Sequence, residues 1–198
     1  NVIQLASATV AGSSGVIGAA IDPNAPLSGS GMTTVVQAGT FTINGIEFTV
    51  NPDTDSLNDV LAAINASAAG VTATYDAGTD KVLIANTDPG DTSIINFGAT
   101  NDTSNFLRAI AVVGATQYTD GNGATAVTST RNLGAADVVK EMSAVNFAGG
   151  PVTAGVFTIN GIEISVDPAT DGVMDVIQRI NSSDAGVTAS YDASTDRI

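Results

Sequence analysis

The chain has 198 residues, 20 acidic and 6 basic side chains, a formal net charge of -14, and no cysteine, histidine or tryptophan. This composition excludes disulfides, thiol or imidazole catalysis, and the usual zinc, haem and iron–sulfur sites, and a polyanion of this kind repels phosphate backbones and anionic membrane surfaces. At 43% hydrophobic and 13% charged, the chain is expected to fold around a real core in one or two domains, with no apolar run near the length of a membrane span.

In chain order, residues 13–39 mix Gly, Ser and Pro with isolated apolar residues and read as loop with short strands. Thr40–Ile43 and Ile46–Val50 alternate around Asn44-Gly45. That is a two-residue hairpin signal, because a type I′ turn needs positive φ at both central residues. A helix follows, with Asp55 or Ser56 as N-cap and Asp59 in the first turn. Leu57, Val60, Leu61 and Ile64 supply its buried stripe, and it is expected to end near Ala69-Gly70. Two strands come next, Val71–Tyr75 and Lys81–Ala85, around the turn Asp76–Asp80. Beyond them the pattern predicts a strand over Ser93–Phe97 and a short helix over Thr103–Ile110 capped by Thr103 or Ser104. Residues 114–130 read as loop, and Ala135–Val145 as a short helix.

The strongest feature is internal repetition. Phe41–Val82 and Phe157–Ile198 align without a gap at an offset of 116, with 26 identities in 42 positions. Ile17-Gly18-Ala19-Ala20 faces Leu133-Gly134-Ala135-Ala136 at the same offset. A period of this length marks a duplicated domain and not a solenoid unit. The second copy repeats the Asn160-Gly161 turn, the helical stripe Val173, Val176, Ile177 and Ile180, and the helix end at Ala185-Gly186. The expected fold is α+β, mainly β: two related domains of antiparallel sheet, each with a short packed helix in a β-β-α-β-β core. The expected boundaries are 10–125 for the first domain and 126–198 for the second, whose repeat ends earlier than the first. Residues 1–9 are expected to form a strand or linker, with Val2–Leu5 supplying a strand to the second domain if the first is inserted in it. The chain, which starts at Asn1, is expected to be a fragment.

The candidate chemistry is thin. Asp53, Asp55 and Asp59 cluster at the helix start, and Asp76 and Asp80 flank a turn, but no calcium-loop pattern surrounds them. Asp120-Gly121-Asn122-Gly123 has turn composition only. Helix capping and turn formation account for these acids. Glu47 and Glu163, each between apolar neighbours, are placed on the solvent face in separate copies, not as a glycosidase pair. Tyr75 and Tyr191 stand at equivalent strand ends and read as core-edge packing. No nucleophile elbow or phosphate loop is present, and scattered Ser and Thr that could line a glycan surface are explained by strand propensity. The expectation is a non-enzyme with no catalytic, cofactor or metal residues and no cofactor.

The run F-T-I-N-G-I-E, a short acidic turn, D-V-L-A-A-I-N-A-S, A-G-V-T-A-T-Y-D and T-D-K-V resembles the flagellin hook IN motif, with its Ile-Asn at Ile64-Asn65 and Ile180-Asn181. Two tandem copies, Thr92-Ser93-Ile94 and Ser104–Leu107 are most similar to the flagellar hook-associated protein 2, or filament cap, family. The resemblance implies an extracellular structural protein of the bacterial flagellum tip, exported by the flagellar type III system. It implies a ring homo-oligomer held by helical, coiled-coil termini lying outside this head region. Flagellin is the implied partner, with host glycan or mucin as a further one, and neither nucleic acid nor membrane. A flagellin outer domain and a glycan-binding adhesin module are the alternatives.

Overall fold

The computed structural model describes residues 11–198; the Val2–Leu5 strand expected from the sequence lies outside the described residues. Residues 11–38 run as loop and turn, joined to the rest by bridges at Gly18–Phe147 and Pro26–Ser56. The short strands expected there are absent among the described residues, since prolines and small residues leave few consecutive groups for a ladder.

The first unit opens with the hairpin β1 (Gly39–Ile43) and β2 (Ile46–Val50), registered Gly39–Val50 through Ile43–Ile46. Its turn residues Asn44 and Gly45 sit at φ of 48° and 81°, as a type I′ turn demands. Helix α1 (Leu57–Asn65) starts at Ser56, whose hydroxyl accepts from Asp59 N–H while the Asp59 carboxylate accepts from Ser56 N–H. This capping box satisfies two otherwise orphaned donors. Leu57, Val60, Leu61 and Ile64 are all buried, so the predicted stripe is the packed face. The helix stops at Asn65, earlier than expected; a turn then reaches Gly70 at φ of 68°.

Strands β3 (Val71–Asp76) and β4 (Lys81–Asn86) follow, then α2 (Phe106–Ala109), β5 (Tyr118–Thr119) and β6 (Thr125–Thr128). The antiparallel sheet has the order β3-β4-β6-β5. Residues 114–130, expected as loop, thus contribute a strand to the interior of the sheet. Their Gly-rich turn at 120–123 is real, but Ala126 and Val127 are fully buried and pair with β4, while Thr125 pairs with β5. Residues 93–97 form no regular strand. Asn96 and Gly98 run along β1 with a single bridge, Ile43–Phe97, because the Asn44 side chain captures the Asn96 N–H. The short helix is present but spans only Phe106–Ala109; its N-cap is Asn105, not Thr103 or Ser104, without a side-chain capping bond, and the Ser104 hydroxyl accepts from Phe106 N–H just before it. Phe106 stacks on Phe41 at 4.7 Å between ring centroids, and Phe41 on Phe48 at 5.3 Å. All three rings lie inside one continuous core with Ile43, Leu57, Ile64, Ile84 and Ile110.

The second unit repeats the hairpin as β7 (Gly155–Ile159) and β8 (Ile162–Val166), and the helix as α3 (Val173–Asn181). The segment 135–145 is turns with a 3-10 turn at Met142–Ala144, not a helix of its own. The two last strands of the β-β-α-β-β pattern do not form here. The counterpart of β4 would begin at Arg197, and only Arg197 and Ile198 of its six positions lie in this sequence. The equivalent of β3 is left with one bridge, Asp192–Arg197. No described helix is long and apolar enough to cross a membrane.

Candidate functional site

The acids at the helix start do local work. Asp55 accepts from Asn51 N–H and the Thr54 hydroxyl, and Asp59 closes the capping box, whose Ser56 hydroxyl and N–H hold the Asp59 carboxyl below its usual value. Asp53 donates its N–H to Asn51. Asp76 accepts from the Thr79 hydroxyl and Gly78 N–H, which lower its pKa in that order. Asp120 accepts from Asn122 and Ala124 N–H, as an Asx turn does. Glu47 and Glu163 are exposed on the outer faces of separate hairpins, Glu47 near Asn101. Among the described residues, no three of these acids come together as a metal-holding group.

Asp80 and Asp196 behave differently from the turn acids they resemble. They are 4% and 1% exposed, and both sit in the left-handed region, at φ of 52° and 51°. That conformation is uncommon outside Gly, Asn and Asp, and it turns each carboxylate inward. Asp80 accepts from Ile21 N–H, Gly134 N–H and the Tyr75 hydroxyl at 3.2, 2.7 and 2.6 Å. Asp196 accepts from Gly18 N–H, Ala136 N–H and the Tyr191 hydroxyl at 2.7, 3.2 and 2.8 Å. Burial, then the hydrogen bond to the carboxylate, pushes both tyrosine hydroxyls well above their ordinary pKa. A buried carboxylate needs hydrogen-bond donors in place of water, and here two backbone segments and a phenol provide them.

Those two backbone segments are the Gly-Ala-Ala stretches of the two repeats, and they touch. A Cβ on Gly18 would lie 2.2 Å from Gly134 O, and a Cβ on Gly134 would lie 2.0 Å from Ala19 O. Only glycine permits this approach at either position. The junction is therefore a two-sided clamp: two linkers crossing at van der Waals distance, each held by a buried aspartate–tyrosine pair.

Beside the junction, the second unit presents an apolar groove of about 620 Å³. Phe147, Val152, Phe157, Val166, Val176 and Ile180 are among its lining residues. Phe157 is 40% exposed there, whereas its counterpart Phe41 is completely buried. The groove holds no paired carboxylates and no charged side chain in its lining. Its chemistry is that of a packing surface.

The hairpin-and-helix unit thus occurs twice with the same turn and clamp geometry, and each copy coincides with a known family motif. The flagellin hook IN motif matches residues 40–88 and 156–198. Over 151 residues, 73% of this chain, the sequence is 33% identical to a flagellar hook-associated protein 2 of Thermotoga maritima. The chain resembles the flagellar hook-associated protein 2 family and carries the flagellin hook IN motif twice. It spans 23% of that relative's length. No solved structure matches it.

The IN motif's own asparagines explain themselves in this geometry. Asn65 donates from Nδ2 to Ala73 O and accepts from Ala73 N–H, at 2.9 and 2.6 Å. Asn181 makes the same pair with Ala189. Asn44 and Asn160 donate to Ala69 O and Ala185 O. The motif is thus a set of side-chain staples tying hairpin, helix and following strand. Sequence reasoning missed these staples and the clamp role of Asp80, Asp196, Tyr75 and Tyr191. The available signal was their identity in both copies at positions where a turn or a strand end does not demand that residue type.

Proposed function

We propose that this chain is part of the head region of a flagellar filament cap, a non-enzymatic structural protein outside the cell at the filament tip. In this reading its full-length protein is exported by the flagellar type III system, forms a ring of identical subunits and assists the folding-in of flagellin. The observation that carries the reading is the pair of IN-motif units in a chain whose relative is named flagellar hook-associated protein 2. The functional groups described above are directed to capping, turns and inter-unit contact, which fits a building block. Binding of host glycan or mucin by the exposed head is a further part of the proposal.

The test uses the full-length protein from which this chain comes. Electron microscopy of the purified protein is expected to show ring oligomers, and a strain lacking the gene is expected to secrete flagellin as monomer. Polymerisation of the purified protein into long filaments would overturn the cap reading in favour of a flagellin outer domain. Mucin binding by the chain in a solid-phase assay supports the adhesive part, and no binding removes that part alone.

A further inference from the structure

The equivalence of the two repeats extends from residues to hydrogen bonds, and there it locates the end of the second unit. In the first unit, Ser129 N–H donates to Val82 O, and Val82 N–H donates to the Ser129 hydroxyl, both at 2.9 Å. Leu133 N–H donates to Asp80 O at 2.9 Å, and Gly134 N–H to the Asp80 carboxylate at 2.7 Å. Moving the partners Val82 and Asp80 forward by the repeat offset of 116 gives Ile198 and Asp196. Moving Ser129, Leu133 and Gly134 back by the same offset gives Ser13, Ile17 and Gly18.

These residues make the same four bonds. Ser13 N–H donates to Ile198 O at 2.8 Å, and Ile198 N–H to the Ser13 hydroxyl at 3.4 Å. Ile17 N–H donates to Asp196 O at 2.9 Å, and Gly18 N–H to the Asp196 carboxylate at 2.7 Å. Segment 13–18 therefore stands to the second repeat as segment 129–134 stands to the first. The two carry matching residues at Ser13 and Ser129, and at Gly18-Ala19-Ala20 and Gly134-Ala135-Ala136.

The connections out of the crossing repeat the symmetry. Thr33 N–H, in the first unit, donates to Leu133 O, while Ala148 N–H, in the second, donates to Ile17 O. Each linker leaves one unit by its terminal edge and enters the other immediately after the touching glycines.

We propose that the two units are nested and not in series. The chain that leads into Ser13 belongs to the second unit and docks on its Tyr191–Ile198 edge. It crosses into the first unit at Gly18–Ala20 and returns at Gly134–Ala136, so that the first unit is an insertion carried by the second. This differs from the sequential boundaries at 10–125 and 126–198 that the linear repeat suggests, because a repeat counted along the sequence need not begin where a folded unit begins. The interaction surface is the edge around Asp196 and Ile198, and its occupant is this chain's own entering segment.

Two matched substitutions test the arrangement, read by amide hydrogen exchange on the 198-residue chain. Ser13→Pro removes the N–H and hydroxyl partners of Ile198 and is expected to speed exchange at Asp192, Arg197 and Ala136 roughly tenfold, the effect of losing two hydrogen bonds. Exchange over Val71–Asn86 is expected to stay unchanged. Ser129→Pro is expected to do the reverse. Faster exchange over Val71–Asn86 in Ser13→Pro, or no change near Ile198, overturns the proposal. A disulfide test does not depend on how far Ser13→Pro unfolds the chain. Ser13→Cys with Ile198→Cys is expected to oxidise as readily as Ser129→Cys with Val82→Cys, and failure of the first pair where the second forms also overturns it.

Discussion

The two repeats share 26 of 42 aligned residues and yet bury them differently. Phe41, Val71 and Val82 are 0%, 4% and 0% exposed, while Phe157, Val187 and Ile198 are 40%, 39% and 40% exposed. The local geometry is nevertheless the same: both hairpins turn at Asn-Gly, both helices show their stripe inward, and both asparagine staples are made. Local hydrogen bonding thus suffices to form the unit, and burial of its open face depends on elements further along the chain. In the first unit those elements are α2 and β6, which bring Phe106 and Val127 onto the core.

The comparison is broken most directly at the equivalent phenylalanines. Phe41→Ala is expected to destabilise the first unit by about 3–5 kcal/mol, the cost of emptying a packed aromatic site. Phe157→Ala is expected to cost less than about 1 kcal/mol, since the ring is already partly in water. Urea unfolding followed by exchange at Val71–Asn86 and at Val173–Asn181 separates the two. Similar losses at both positions would mean that the groove is closed in solution.

A second test weighs the clamps against each other. Asp80→Ala leaves Ile21 N–H, Gly134 N–H and the Tyr75 hydroxyl without their acceptor and is expected to cost about 3 kcal/mol. Asp196→Ala orphans an equivalent set and is expected to cost a similar amount, read as loss of protection at Gly18 and Ala136. If only Asp80→Ala is costly, the clamp serves the first unit's core and not the crossing.

The helix starts differ as well. Ser56→Ala is expected to cost about 1 kcal/mol through loss of the cap. At the equivalent position the second unit has Gly172, where a Cβ would stand 2.9 Å from Val138 O. Gly172→Ser is therefore expected to destabilise by about 1–3 kcal/mol instead of improving the cap, because it overpacks the contact. Thermal denaturation of the two variants checks that adding this side chain in one unit lowers stability just as removing it does in the other.

The smallest expected effect is electrostatic. The Arg179 guanidinium grips Asp171 through two hydrogen bonds of 2.9 Å, and with the Asp167 N–H it lowers the Asp171 pKa from 3.8 to about 2. A carboxylate depressed in the folded state adds stability above its ordinary value and loses it as pH falls toward the folded one. The second unit is therefore expected to weaken between pH 4 and pH 2 in a way that Arg179→Ala reduces. In the first unit Ala63 occupies the arginine position, so Ala63→Arg is expected to add the same pH dependence there. Unfolding midpoints across that range measure it.

Much of this fold is legible in the sequence because its signals are local. Asn44-Gly45 fixes a turn, Ser56 and Asp59 fix a helix start, and the 3.6-residue spacing of Leu57, Val60, Leu61 and Ile64 fixes a face. What the sequence hides depends on distant partners. Thr125–Thr128 reads as loop because its four residues carry no strong alternation, and only pairing with β4 makes them a strand. Asp80 looks like any turn aspartate until the backbone N–H groups of Ile21 and Gly134 come within reach. In the second copy the pattern of Val187–Tyr191 matches β3 and reads as a strand, yet a strand needs a neighbour to satisfy its N–H and C=O groups.

The contact between Ser13 and Ile198, reinforced by Ile17 and Asp196, has a mechanical meaning. A pull applied at Ser13 and at Ile198 is carried across this short clasp. The 184 residues between the clasped positions form a closed loop that bears no tension while the clasp holds. The fold between the clasped positions is in this way carried on an unloaded loop. Substitutions within that loop then leave the strength of the load path unaltered, so long as Ser13, Ile17, Gly18, Asp196 and Ile198 keep their hydrogen bonds.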